Sequence, residues 1–582
     1  MAVRRGVVLV IVLLVIAVAV SAAGLLFIGL AVGRGPQIAG NSTLMLDVGG
    51  DLLENEASGV IGQLFEGPPT VRAVVDSLRK AAVDPRVSSV IIRPTGNSAL
   101  WGKVQEVREA IVEFRKSKKP IVAFLEYGGD QSYYLASACD KVFLLPTASL
   151  DLTGVANYEL FLRGALDKMG ALPDAIHVGD YKSASNTFTE HTFTPAHREM
   201  TESLNTDLYE QLVRGIAESR NKTEAEVRKI IDHGPYLPED AVRAGLIDDL
   251  AYEDEIDDKV QLGRGRINTL RQHEYRNVAL SSLGLNRGPR IAVIYATGLI
   301  SSGASNVDSP TGQVIGSDTM VEWLRKARAD DSIRAIVLRI DSPGGSAIAS
   351  DVIWREIMLT RDRKPVIASM SDVAASGGYY IAMPAHAIVA QPSTLTGSIG
   401  VVLLRFVLDG TFKKLGINIE TVKQGTYADL LSPVRPFSPD ERKRMGELMQ
   451  ATYDAFVEKA AAGRKTTPER IDGIAQGRVW TGRQAKDLGL VDELGGLNRA
   501  LQLAKTHAKI AAESDVEIVV FPPKKTLFEV FADPLGRTDN SSAALSALVG
   551  GSNARSLEAV TAPLRLFRRN EPLALMPHVF VK

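Results

Sequence analysis

Lys119-Pro120-Ile121-Val122-Ala123, followed by Tyr133-Tyr134-Leu135-Ala136, recurs as Lys364-Pro365-Val366-Ile367-Ala368, followed by Tyr379-Tyr380-Ile381-Ala382. The tyrosine pairs stand 246 positions apart, so the chain is a tandem duplication. At that offset Ser376, in Ala375-Ser376-Gly377-Gly378, takes the place of Asp130. Lys182, in Gly179-Asp180-Tyr181-Lys182-Ser183-Ala184, takes the place of Ala428. One half carries a candidate nucleophile and the other a candidate amine base. Divergence of this complementary kind predicts one active site shared between the halves.

The same alternation of elements runs through both copies. Thr43–Val48 and Arg290–Tyr295 read as strands, Val71–Ala82 and Thr319–Arg328 as helices with apolar residues at three and four spacings, and Val87–Ile92 and Ile333–Ile340 as buried strands. Short β-branched runs of this kind fill parallel sheets covered on both faces, which predicts an α/β architecture with right-handed crossovers. The copies close on Ala241–Asp248 and Ala485–Asp492, where the offset has drifted to 244. A loop-like linker is expected near 272–288. From about Pro522 the tail is rich in Pro, Ser, Asn and Gly, and no chemistry is assigned to it.

At 582 residues the chain needs at least two cores. Its 67 basic and 68 acidic residues give no support to nucleic-acid binding. A single cysteine, Cys139, excludes an internal disulfide framework and a cysteine-rich metal site, and it reads as a small buried residue. Arg4 and Arg5 precede an uncharged run from Gly6 to Gly33. About 20 apolar residues cross a bilayer core of about 30 Å, so this run is long enough to span. Ser21-Ala22-Ala23 also fits a small-residue cleavage site, but the apolar run exceeds that of a signal peptide. The positive-inside rule then places the N-terminus in the cytoplasm and the catalytic body outside the cytoplasmic (inner) membrane, on the periplasmic side. The expected organisation is a signal anchor over 1–34, a lysine-bearing repeat over 35–280, a serine-bearing repeat over 281–515, and a tail over 516–582 of unassigned role.

Asp341-Ser342-Pro343-Gly344-Gly345-Ser346 follows directly on a strand, and adjacent glycines there let backbone N–H groups approach a ligand. The first copy has Pro94-Thr95-Gly96-Asn97-Ser98 instead. Ser376 lies between a strand and a helix, where its Oγ can be exposed beside free N–H groups; the plain alternative is an N-cap. With an N–H of Gly344 or Gly345, that of Gly377 can form an oxyanion hole. A serine nucleophile needs a base. None of the eight histidines is well placed; His386 and, more weakly, His177 are the alternatives. Lysine serves if burial keeps its amine neutral, and Lys182 lies among small and hydroxylated neighbours.

Tyr181-Lys182-Ser183-Ala184, Asp341-Ser342-Pro343-Gly344-Gly345, Ala375–Tyr380 and Thr396-Gly397-Ser398-Ile399-Gly400-Val401 together resemble the motifs of the signal peptide peptidase A family. The duplication is similar to its long form, also called protease IV, and the resemblance runs to about residue 510. It implies tandem Clp-protease/crotonase-like domains after an N-terminal transmembrane helix. It implies a Ser/Lys dyad in a membrane-anchored homo-oligomer, commonly a tetramer, that degrades signal peptides and other apolar peptides with no metal or cofactor. By position, Ser376 becomes the nucleophile, Lys182 the general base and Ser398 the residue that orients the amine. Gly344, Gly345 and Gly377 become the oxyanion donors. Two rival readings are a crotonase-type enzyme acting on acyl-CoA, since fold does not fix function, and a catalytically silent scaffold.

Overall fold

The computed structural model describes residues 38–50, 52–54, 70–97, 99–261, 268–305, 313–523, 572–577 and 580–581. The expected membrane-spanning run at 6–33 lies outside them. Among the described residues no helix is long and apolar enough to cross a membrane.

Each repeat builds a parallel sheet in the same way. Thr70 caps the helix Val71–Val83, its Oγ1 accepting the Ala73 N–H at 3.0 Å. That helix buries Val71, Val74, Leu78 and Ala81, a stripe at helical spacing that lies over the sheet. Its counterpart Ser317–Ala329 buries Met320, Leu324 and Ala327. The first sheet runs in the order Asn268–Arg271, Ser42–Gly50, Val87–Asn97, Ile121–Leu125, Lys141–Leu144, Asp249–Leu250, parallel throughout. The second runs Val479–Thr481, Leu395–Gly397, Val366–Ala375, Ile333–Ser342, Arg290–Thr297, Glu517–Phe521, with Ala387–Ala390 and Glu493–Leu494 branching from Val366–Ala375; it is parallel except that Val479–Thr481 runs antiparallel to Leu395–Gly397. All ten residues of Val366–Ala375 are buried, as a central strand covered on both faces requires. Two long helices, Pro195–Arg220 and Pro439–Arg464, repeat the same N-terminal proline, hydroxyl cap (Thr194, Ser438) and left-handed C-cap (Asn221, Lys465). The tandem α/β duplication is thus explicit in the coordinates.

A third, mixed sheet belongs to neither repeat alone. Its order is Val314–Gly316, Leu299–Ser301, Gly344–Ser346, Leu573–Leu575, Val401–Val407, Leu172–Val178. The last two pair antiparallel over seven positions, from Val178 opposite Val401 to Leu172 opposite Val407. A strand of the first repeat therefore completes the sheet of the second.

Two segments depart from expectation. The linker is not simply loop: Gln272–Tyr275 is helical and Leu280–Leu283 forms a 3-10 turn. Its anchor is Tyr275, fully buried, whose Oη donates to Asp84 at 3.2 Å, while Lys80 Nζ donates to the carbonyls of Tyr275 and Val278. The tail, expected only as an extension of unassigned role, contributes strands. Glu517–Phe521 extends the second parallel sheet, and Leu573–Leu575 enters the mixed sheet.

Buried charge joins the repeats. Arg339, 1% exposed, donates from Nε and Nη2 to Glu54 at 2.8 and 2.9 Å, and from Nη2 to Glu106 at 2.7 Å. Lys103 Nζ lies 2.7 Å from Asp341 and 3.4 Å from Asp372. These pairs tie the helix Trp101–Arg115 of the first repeat to the strand ends that carry the Gly344 turn and the Ser376 turn.

Candidate active site

Ser376 sits between the strand Val366–Ala375 and the short helix Gly377–Ala382. Its backbone is held at φ 55° and ψ −111°, a left-handed value that costs a non-glycine residue about 1–3 kcal/mol. The Ser376 N–H donates to the Gly397 carbonyl at 2.8 Å, which fixes the turn. The side chain is fully buried.

Lys182 arrives from the other repeat. After Val178 the chain turns at Gly179, φ 101°, where a Cβ would come within 2.3 Å of the Gln476 backbone. The Tyr181 N–H then donates to the Gln476 carbonyl at 2.9 Å. Gly477 makes room for the lysine itself: a Cβ there would stand 2.6 Å from Lys182 Cα. A Cβ on Gly400 would press on Lys182 Cδ at 3.1 Å.

Within this one chain Lys182 Nζ lies 2.8 Å from Ser376 Oγ, 2.8 Å from the Ser398 carbonyl oxygen and 3.0 Å from Ser398 Oγ. A neutral amine has one lone pair and two N–H bonds. It can accept the Ser376 proton while donating to both Ser398 oxygens. Burial, with no carboxylate among the described residues to oppose the effect, holds the Lys182 amine well below its usual pKa. Ser398 is itself held at φ 50° by its N–H donating to the Arg478 carbonyl at 2.7 Å.

The glycines line the neighbouring wall. Gly344 and Gly345 have φ of 107° and 151°, conformations that strain any side chain. Gly377 stands against Gly344, where a Cβ on Gly377 would lie 3.1 Å from Gly344 Cα. The Gly344 N–H already has an acceptor in the chain, Ser342 Oγ at 3.2 Å. The strand Leu573–Leu575 runs along this wall, opposite Gly344–Ser346. Sequence reasoning passed over that segment, because a lone stretch Leu573-Ala574-Leu575-Met576 in a low-signal tail carries no motif.

The remaining candidates lie elsewhere. His386 is exposed, at the far end of the ten-residue strand from Ser376, and its Nδ1 accepts the Val366 N–H at 3.1 Å. His177 is exposed, with Nδ1 3.1 Å from the Gly179 carbonyl. Cys139 is buried, and burial pushes its thiol pKa up. In the first repeat the counterpart of Ser376, Asp130, begins a helix and accepts the Thr153 and Gly154 N–H groups at 3.0 and 2.8 Å. Ala428, the counterpart of Lys182, is exposed.

A sequence profile described as Peptidase family S49 matches this chain twice, over residues 113–265 and 358–511. The chain is 39% identical over 474 residues to "Serine protease SPPA, chloroplastic" of Arabidopsis thaliana, covering 80% of this chain and 70% of that protein. It is 31% identical over 503 residues to "Protease 4" of Salmonella typhi, covering 82% and 80%. A further "Protease 4", from Haemophilus influenzae, is 28% identical over 456 residues, covering 74% and 72%. The two profile matches fall one on each repeat, in register with the duplication.

Proposed function

The chain belongs to peptidase family S49, and on that premise we propose that it is a membrane-anchored serine endopeptidase using a Ser376/Lys182 dyad on signal peptides and other apolar peptides. One observation carries the reading: an amine whose pKa burial lowers stands 2.8 Å from a serine hydroxyl on a strained turn.

Lys182 Nζ takes the Ser376 proton as Oγ bonds to the substrate carbonyl carbon. The oxyanion is met by N–H groups of the glycine wall, with Gly377 favoured over Gly344, whose N–H is engaged by Ser342. The ammonium of Lys182 then protonates the leaving amine. Water attacks the ester with Lys182 again as base, releasing the acid and restoring the hydroxyl. Ser398 acts as the positioning residue, holding the amine so that its lone pair points at Oγ. Apolar peptides suit the site by chemistry, since the buried cluster beside the mixed sheet that holds Gly344–Ser346 includes Leu166, Phe188, Val402 and Leu404.

The uncharged run 6–33 supports a single-pass anchor in the cytoplasmic membrane with the catalytic body outside. The duplication supports a homo-oligomer. Leu172–Val178 pairs with Val401–Val407 inside the chain, and at an offset of 246 their counterparts are residues 418–424 and 155–161. Residues 418–424 are exposed and form no strand, with Val422 97% exposed. Repeating the internal pairing between copies would join the second repeat of one to the first repeat of the next, a head-to-tail contact that forms a ring where the rotation closes.

The test compares the wild type with Ser376→Ala and Lys182→Ala on an apolar peptide ester. Both variants should lose turnover by about 10³-fold or more while keeping their thermal transition. A fully active Lys182→Ala enzyme would remove the dyad.

A further inference from the structure

Arg478 contacts the two neighbours that set the position of the base. Its carbonyl accepts the Ser398 N–H at 2.7 Å, and Ser398 in turn holds the Lys182 amine through two oxygens. Its side chain reaches Tyr181, the residue before Lys182. The guanidinium carbon lies 4.7 Å from the centroid of the Tyr181 ring and 4.4 Å from that of Trp480, within cation–π range of both. Nη1 donates to Glu199 at 2.6 Å, and the Tyr181 hydroxyl donates to the other oxygen of the same carboxylate at 2.9 Å. The Tyr181 N–H closes the circuit on the Gln476 carbonyl, two residues before Arg478.

These contacts cross between the repeats. Tyr181 and Glu199, the latter on the helix Pro195–Arg220, belong to the first; Arg478 and Trp480 belong to the second. The duplication shows that the fold alone does not demand them. At the offset of 244 set by the two long helices, Glu199 answers to Lys443 and Arg478 to Gly234. Tyr181, at 246, answers to Tyr427, and there Arg444 of the same repeat lies 5.1 Å over the ring. A tyrosine gripped by an arginine of the other repeat is thus particular to the loop that carries Lys182. Glu199 is 57% exposed, and an ion pair so open to solvent adds little to global stability. What it does is fix geometry. Two rings and a carboxylate leave the planar guanidinium one orientation, and its main chain is thereby held against Ser398.

We propose that Arg478 is a positioning residue for the Ser376/Lys182 reaction, clamping the lysine loop of one repeat to the Ser398 turn of the other. The inference rests on the peptidase reading above. Arg478 acts through Tyr181 and Ser398, not on substrate. Without the clamp, Lys182 Nζ drifts from its 2.8 Å contact with Ser376 Oγ, which slows the chemical step and leaves peptide binding alone. The loosened loop also admits water to the amine and relieves the burial that lowers its pKa.

The experiment measures steady-state and single-turnover kinetics of the full-length, membrane-extracted protein on an apolar peptide ester. Wild type is compared with Arg478→Ala, Glu199→Lys and Glu199→Gln. Arg478→Ala and Glu199→Lys, the latter installing the residue of the counterpart position, should each lose about tenfold in kcat with KM unchanged. In both, the acid limb of kcat/KM should move to higher pH; Glu199→Lys keeps the Arg478 charge, so a common shift reports the loosening. Removing the Ser398 hydroxyl, which favours the ammonium, would move the limb the other way. Glu199→Gln keeps an acceptor for the guanidinium and should lose less, about threefold. All three should keep the wild-type thermal transition. A raised KM with unchanged kcat would make Arg478 a substrate contact and overturn the positioning role. A lowered thermal transition with the acid limb unmoved would overturn it too, leaving a structural role only. Should Arg478→Ala not fold, Glu199→Lys, at its exposed position, decides by the same readouts. A wild type inert toward the ester and unlabelled at Ser376 by a phosphonylating probe would instead overturn the peptidase reading on which the clamp rests.

Discussion

Ser398 meets the Lys182 amine twice, through its carbonyl oxygen at 2.8 Å and its Oγ at 3.0 Å. The two contacts leave only the lone pair for Ser376. Ser398→Ala removes one of them and leaves the carbonyl. The expected loss is about tenfold in kcat with little change in KM, since a net hydrogen bond is worth about 1 kcal/mol. The lost oxygen favoured the ammonium more than the amine, so the acid limb of kcat/KM should also move to lower pH. A purely structural role for Ser398 would not move that limb.

The lysine itself sets the pH profile. Its folded-state pKa is lowered from 10.5 by burial, and only the neutral form accepts a proton. Activity should therefore rise with pH through the lowered value and reach its plateau well below pH 10.5. The stability sign follows. Between the folded and unfolded pKa values the unfolded chain binds one more proton, so stability rises with pH in that window. Urea denaturation of the wild type and Lys182→Met across this range should show the wild type gaining on the variant as pH rises. The gain should stop above the unfolded lysine pKa.

Gly477 tests how the base is seated. It has φ 79°, and a Cβ on it would lie 2.6 Å from Lys182 Cα, Cβ and N. Gly477→Ala must push the lysine backbone away from Ser376. A displacement of about 1 Å costs on the order of 10²-fold in rate, and peptide binding should persist because the glycine wall is untouched. Single-turnover kinetics, which separate the chemical step from binding, decide this.

The buried Arg339 cluster holds the shared site together. Arg339 of the second repeat satisfies Glu54 and Glu106 of the first at once, and all three are nearly inaccessible to water. Arg339→Ala leaves two carboxylates uncompensated, with an expected cost of about 3–5 kcal/mol in chemical denaturation. Because Lys103 and Asp341 lie in the same joint, activity should fall with stability as the repeats loosen.

Much of this was legible before the coordinates. The strand Val366–Ala375, the helix Val71–Val83 and the Lys182/Ser376 complement all follow from periodicity and from comparing one repeat with the other. The mixed sheet was not legible, because the strand Leu172–Val178 takes its partner from 223 to 235 positions away and its alternation, broken by Pro173 and Asp174, is weak. Nor was the pairing of Leu573–Leu575, which depends on the Gly344–Ser346 strand it meets. Asp130 shows the limit of the comparison: its carboxylate bonds two backbone N–H groups, a structural use that sequence alignment of the copies reads only as absence of serine.

The same comparison fixes the last prediction. Inside the chain the strand carrying the lysine loop is paired, whereas its counterpart at 418–424 joins no strand among the described residues. Exposed edges of this kind recruit another strand. Ile417, Ile419 and Val422 are 45%, 47% and 97% exposed among the described residues. Their expected partner is the 155–161 segment of a second copy, where Tyr158 and Leu160 are 66% and 44% exposed. Val422→Asp together with Ile419→Asp should reduce the assembly to single chains in light scattering. The Lys182–Ser376 contact lies inside one chain, so these monomers should still label at Ser376. An assembly of unchanged mass would show that the copies meet elsewhere.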